Sequence, residues 1–189
     1  LCTTMGVSRT VLREAVKTLS AKGMVMTGPR TGTRAQPASA WNLLDPDVIR
    51  WRLMSGIDQT FVRDILELRL AIEPDAAALA AQRASEADLG QLRAAYAAME
   101  AAVELGRGYL DADLAATHNQ FLAALTPAID ALLRVSFRFS VKSRESARSS
   151  LPLHKAVLAA IMARDGAAAE DAIRTLIAAA RRDVETDMA

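Results

Sequence analysis

GVSRTVLREAVKTLSAKGMVMTGPRTGT, Gly6 to Thr33, decides how this chain is read. Gly6 and Val7 make a tight turn after the tail of a helix. Ser8 then stands at an N-cap position, where a short hydroxyl side chain accepts from the free amides of a first helical turn. From there Val11, Leu12, Ala15, Val16 and Leu19 recur at the spacing of one apolar helix face. The opposite face carries Arg9, Thr10, Arg13 and Lys17. Gly23 stops the helix. Met24 to Met26 reads as a short strand, Gly28-Pro29 as a turn, and GTRA (Gly32 to Ala35) as the returning strand, so a β-hairpin follows the helix.

A helix followed by a hairpin is the order of a winged helix-turn-helix. Such a domain sets the N-terminal end of its recognition helix in the major groove and lets the hairpin, the wing, touch the neighbouring backbone or minor groove. Arginine in the first helical turn suits that placement, because a guanidinium pairs bidentately with guanine O6/N7 or with phosphate. On the helix alone, the same residues read equally well as a solvated basic face. The hairpin that follows favours DNA.

These residues carry a resemblance. VSRTVLREAVKTLSAKGMV followed by GPRTGT resembles the DNA-binding domain of the GntR superfamily of bacterial transcription regulators. The resemblance implies that Arg9 and Arg13 contact bases and phosphates. It also implies that Thr10, with the wing residues Arg30, Thr31 and Gly32, completes the footprint, Ser8 and Lys17 lying on the same surface. The family domain begins earlier, with a first helix and an L-P-[ST]-E-R-E-L segment. Residues 1–36 are therefore expected to be the later part of a larger winged domain, with residues missing before Leu1.

Composition agrees with a basic head on a helical body. Half the residues are apolar (51%) while only 4% are aromatic, and alanine is abundant, which favours helices over sheet. The net charge of +1 conceals an asymmetry. Up to residue 40 the chain holds Arg9, Arg13, Lys17, Lys22, Arg30 and Arg34 against a single acid, Glu14, so the remainder has an acidic excess. That distribution fits a phosphate-binding module joined to a domain that does not bind nucleic acid. The lone cysteine, Cys2, excludes an internal disulfide framework and suits a cytoplasmic protein. No apolar run is long enough for a membrane span, and no membrane partner is expected.

Residues 37–46, around Pro37, Ser39 and Pro46, read as a linker, packed because it carries Trp41, Leu43 and Leu44. Asp45-Pro46 reads as N-cap and first residue of a helix that ends near Ser55-Gly56. From 47 to 189 the pattern is helical throughout. One helix is capped by Asp58, runs to about Ala84 and is interrupted by Pro74. The next runs from the capping box at Ser85 and Asp88 to Leu105. Further helices are expected from Tyr109 to Leu125, from Thr126-Pro127 to about Ser146, from Leu151-Pro152 to Asp165-Gly166, and from Ala167 to about Thr186. The fold class is therefore mainly α: a winged head, then an all-α antiparallel bundle.

The body also resembles a known domain. FVRDILELRLAIEPDAAALAAQRASEADLGQL and LHKAVLAAIMARDGAAAEDAIRTLI are similar to the FCD effector domain of the FadR subfamily. WNLLDPDVIRW is similar to the sugar-acid, galactonate-type subgroup. The resemblance implies a homodimer on palindromic operator DNA, a repressor in most members, released by a small organic acid bound in the bundle. A sugar acid is favoured, with lactate or a fatty-acid derivative as the alternative. It also implies a divalent metal, zinc or nickel, held by Asp113 and His154. Family histidines would stand at position 117, which is Thr here, and near Leu176, which cannot bind metal. DADLAATHNQ is also shorter than the family's segment, so residues including a histidine are expected to be missing between about Leu114 and Thr117.

Arg69 and Glu73, four residues apart, read either as a helix ion pair or, with Arg69 on the cavity-lining helix, as an anchor for an effector carboxylate. The arginines from Arg134 to Arg148 recur on a polar face and read mainly as solvated, with Arg134 and Arg138 as the further effector-binding candidates. His118 reads as a loop-end residue. A metal-dependent enzyme built on Asp113 and His154 is the competing class, disfavoured because no nucleophile–base pair and no Gly-rich phosphate loop is present. An architectural DNA-binding protein without an effector is the third.

Overall fold

The computed structural model describes residues 2–55, 59–104, 115–140 and 144–187. The chain divides into two compact units, Leu1–Arg52 and Leu53–Ala189.

In the first unit a short helix α1 (Cys2–Met5) turns through Gly6, at φ +65°, into α2 (Arg9–Ala21). Ser8 caps α2 as expected, its Oγ accepting from the Val11 amide at 3.2 Å. After Gly23 (φ +73°) come β1 (Val25–Gly28) and β2 (Gly32–Ala35), antiparallel with Met26 opposite Arg34 and Gly28 opposite Gly32. The expected hairpin is present, β1 starting one residue late.

The stretch read as a linker is folded onto this head. The Gln36 amide donates to the Met24 carbonyl and the Asn42 amide to that of Lys22, both at 2.9 Å. Residues Ala38–Ala40 make a single 3-10 turn, and Trp41 donates its indole N–H to the Gln36 carbonyl at 3.0 Å. Lys22 Nζ then lies 2.7 Å from both carboxylate oxygens of Asp45 and 3.0 Å from Asp47, with the Trp51 ring 5.6 Å away. Asp45 also accepts from the Asp47 and Val48 amides, so one carboxylate both caps α3 (Pro46–Met54) and fastens it to the end of α2. The compact unit accordingly extends to Arg52 and includes the linker stretch. The expected packing holds for the half-buried Trp41, whereas Leu43 and Leu44 are exposed.

Gly23 is where this folding-back is most constrained. Its φ is left-handed, and an added Cβ would press into the Ala40 carbonyl oxygen. Gly23→Ala is expected to cost the head at least about 2 kcal/mol, from the left-handed backbone and the overpacking together. In hydrogen exchange, the Asn42 amide should then lose protection by roughly thirty-fold. Unchanged protection would show that residues 37–42 do not rest on the head.

The second unit contains α4 (Gln59–Arg83), α5 (Glu86–Glu104), α6 (Gln120–Ser140), α7 (Arg144–Met162) and α8 (Gly166–Asp187). α4 packs most extensively on α8, which also meets α7 and α6, while α5 lies on α7. Alanines allow the close approach: Ala77, Ala80 and Ala81 of α4, with Ala84 just beyond it, are buried with Ala160, Ile161 and Ala169. A second cluster joins Val62 and Leu66 to Ile177 and Val184. The capping box at α5 is formed, Ser85 and Asp88 each donating a backbone amide to the other's side chain.

Two expected boundaries are corrected. Thr126-Pro127 does not start a helix, because α6 begins at Gln120 and runs through Pro127. Its cap is Asn119, whose side-chain oxygen accepts from the Phe121 and Leu122 amides. Likewise α7 begins at Arg144 and runs through Pro152. An interior proline costs about 3 kcal/mol locally, and burial of Ala128, Ile129, Leu132 and Leu133, or of Ala147, Ala160 and Ile161, outweighs it. The helix expected from Tyr109 to Leu125 is broken at His118, which adopts φ 49° after a 3-10 turn at Ala115–Thr117. Asp58 and residues 105–114 lie outside the described residues.

Candidate nucleic-acid interface and ligand cavity

Arg9, Thr10, Arg13 and Lys17 are all exposed on α2. Spacings of four and eight residues put the two arginines and the lysine on one side of the helix, beginning at its N-terminal turn. Ser8 contributes through the cap: its hydroxyl fixes the first turn from which Arg9 projects. Arg9 and Arg13 make no ion pair among the described residues, whereas Lys17 is 2.8 Å from Glu14 in an exposed i,i+3 pair. Such a pair is weak enough to open towards a phosphate. At the wing tip Arg30 and Thr31 are exposed between the strands, and the exposed Gly32 (φ +66°), first residue of β2, supplies the left-handed turn residue. The first unit thus presents a cationic helix end and a hairpin tip free of acidic side chains, the features that hold phosphates and base edges.

The second unit holds a half-open cavity of about 190 Å³ between its helices. Its walls are largely apolar, with Leu92, Met99, Ile129 and Leu133 among them. The polar side chains facing it are Arg69, Glu73, Tyr96, Thr117 and His154. Arg69 and Glu73 form the expected i,i+4 pair, and they form it in the interior. Arg69 Nε donates to Glu73 Oε1 at 2.7 Å and Nη2 to Oε2 at 3.2 Å, the side chains being 4% and 10% exposed. Burial holds the Tyr96 phenol above its ordinary pKa, with the Glu100 carboxylate adding to the effect.

His154 lines the same space. Burial pushes its imidazole down to about 4 from the usual 6.5, and the Arg69 charge adds to that shift. Between those values the unfolded chain binds a proton that the folded chain does not. This contribution to stability is therefore complete above about pH 6.5 and is lost as the pH falls towards 4. Melting temperatures followed from about pH 7 to about pH 4 should show the decline, and His154→Gln should flatten its share of it. Identical slopes in the two proteins would remove His154 from the account.

Residues 64–179 match the family model of the FCD domain, and residues 1–34 match that of the bacterial regulatory proteins of the gntR family. The chain belongs to the GntR family. It is 35% identical to the galactonate operon transcriptional repressor of Escherichia coli, over 96% of this chain and 83% of that protein. It is also 35% identical to the uncharacterized HTH-type transcriptional regulator YieP of the same organism, over 91% of this chain and 77% of the relative. Among solved structures, Lar of Listeria monocytogenes covers 98% of this chain and 83% of its own, with a TM-score of 0.67 at 19% identity. E. coli McbR/YncC covers 100% and 85%, with a TM-score of 0.63 at 14% identity. Those two likenesses show the fold. The protein is a DNA-binding transcriptional regulator with a GntR-type head and an FCD domain.

For this GntR regulator the cavity brings together only some of the residues expected at it. Arg69 and His154 line it. Arg134 does not: its side chain is 65% exposed and bonded to Asp130 at 3.1 Å. The Arg138 side chain and Asp113 lie outside the described residues. Thr117 and Leu176, where the family pattern implied histidines, both line the cavity. No three His, Cys, Asp or Glu side chains converge among the described residues.

Glu73 and Tyr96 join the cavity without having been singled out for it. Glu73 was legible as the partner of Arg69, but Tyr96 carried no signal beyond its place in a helical stretch. His118, placed as expected at a loop end, has a partner that sequence did not indicate. Its Nε2 lies 2.9 Å from Asp88, whose carboxyl is held down to about 2, chiefly by the hydrogen bond from Ser85. This contact ties the turn ahead of α6, which contributes Ala116 and Thr117 to the cavity wall, to the cap of α5.

Proposed function

We propose that this regulator is a dimeric repressor whose hold on a palindromic operator is released by a small organic acid, with sugar acids favoured, bound in the FCD cavity. The observation that carries this reading is a buried arginine facing an apolar-walled cavity of small-metabolite size. A guanidinium in such a place recognises a carboxylate, and Tyr96 and His154 offer hydrogen bonds to hydroxyl groups beside it. The similarity to the galactonate operon repressor supports a sugar acid as the class. The acid is bound and released unchanged, and the protein works in the cytoplasm as a switch and not as an enzyme. Control follows when the acid binds one arrangement of the dimer more tightly than the other. No metal is required by this reading.

Thermal melting against D-galactonate, other sugar acids, lactate and short fatty acids tests it. One sugar acid at about a hundred times its Kd should add roughly 2.7 kcal/mol of stability. The same acid should weaken operator binding and should remain chemically intact. Arg69→Gln should lose the ligand-dependent shift. An unshifted melt with every acid would refute the proposal, and consumption of the acid would point to an enzyme.

A further inference from the structure

Arg69 is not waiting empty for a ligand. Glu73 holds its Nε and Nη2 donors in the side-on, two-bond arrangement that carboxylates prefer, and both side chains are buried. A ligand carboxylate therefore meets a guanidinium whose better face is taken, leaving the Nη1 edge. Charge matters as much as geometry. Among the described residues lining the cavity, Arg69 and Glu73 are the two formally charged side chains, and together they cancel. An arriving carboxylate leaves that space with one net negative charge between apolar walls, close to a second carboxylate. Like charges at short range in a poorly solvated site repel strongly.

We infer that Glu73 is a specificity-determining residue, which occupies the carboxylate-binding face of Arg69 and so limits how far the cavity favours an acid over an uncharged molecule of the same shape. The inference rests on the reading of the cavity as an organic-acid site and adds the residue that tunes it. Metabolite control gains from such tuning, because a single unopposed buried arginine would hold any small carboxylate tightly. With Glu73 in place, hydroxyl contacts and shape carry a larger share of the selection, and the carboxylate a smaller one.

The test compares D-galactonate with its uncharged amide, galactonamide, by titration calorimetry on the full chain. The wild type should prefer the acid by less than about ten-fold, and Glu73→Gln should widen that preference by about ten-fold or more. Glutamine keeps the size and still accepts one bond from Arg69, so the galactonamide affinity should stay within about two-fold. An acid-to-amide ratio that is unchanged or smaller in a folded Glu73→Gln protein overturns the role of Glu73 while leaving the cavity reading in place. A wild-type preference above about a hundred-fold overturns it without any variant. Failure of both molecules to bind the wild type overturns the cavity reading, and this inference with it.

Discussion

Arg9→Ala combined with Arg13→Ala is expected to weaken operator binding by about 10²- to 10⁴-fold, each bidentate contact being worth roughly 1–3 kcal/mol. The magnitude follows from where the two side chains sit. Both project from one side of α2 near the turn that Ser8 caps, and neither is paired with an acid among the described residues. Removing them takes away no internal contact described for the fold, so the loss should appear in DNA affinity with the melting temperature nearly unchanged. Arg9→Lys and Arg13→Lys should each recover phosphate attraction but not the planar fork, and should relax discrimination between bases more than they reduce affinity for random DNA. Lys17→Ala should act differently, lowering affinity evenly across sequences and reducing the salt slope by about one. Fluorescence anisotropy on the selected operator and on a scrambled duplex, at several salt concentrations, separates these outcomes. A double variant that binds within about two-fold of wild type would return α2 to the status of a solvated basic face.

The head was legible because its signals are local. Ser8, Gly23 and the Gly28–Gly32 turn act within a few residues, and each is used as its type predicts. Helical content was legible for the same reason, since apolar periodicity and the Ser85–Asp88 box are written in consecutive residues. Pro127 and Pro152 misled because a local breaker was weighed without the burial that carries α6 and α7 through them, while the Asn119 cap was overlooked. Around the cavity the limit is different. Spacing paired Arg69 with Glu73, but their interior position comes from the packing of α4 against its neighbours. Arg134 could be read both as a solvated side chain and as a ligand contact, and helix phase, which sends it to solvent beside Asp130, decides for the first. The Asp88–His118 contact joins residues thirty apart and has no local signature.

Glu73→Ala should lower stability by about 3–5 kcal/mol, because it removes one partner of a buried pair and leaves the Arg69 charge uncompensated. For a chain of this size that corresponds to a fall in melting temperature of roughly 6–20 °C. The pair itself is not the source of that stability. Two ions taken out of water lose about as much in hydration as they regain from each other, so deleting both should be far milder than deleting one. Arg69→Met with Glu73→Leu is therefore expected to melt close to the wild type, or above it, as apolar side chains fill the site. Three melting curves measured without ligand decide the matter: wild type, Glu73→Ala and the apolar double variant. A double variant as unstable as the single one would mean that the two residues organise α4 through contacts other than their own bond. A Glu73→Ala protein within about 3 °C of wild type would mean that water reaches Arg69 freely, against its 4% exposure. The expected outcome has a functional corollary. An ion pair with little net effect on stability, set in a largely apolar cavity, is expected to act on a ligand. The stable apolar double variant should accordingly keep operator binding while losing its response to the acid, which separates the work of the head from that of the cavity.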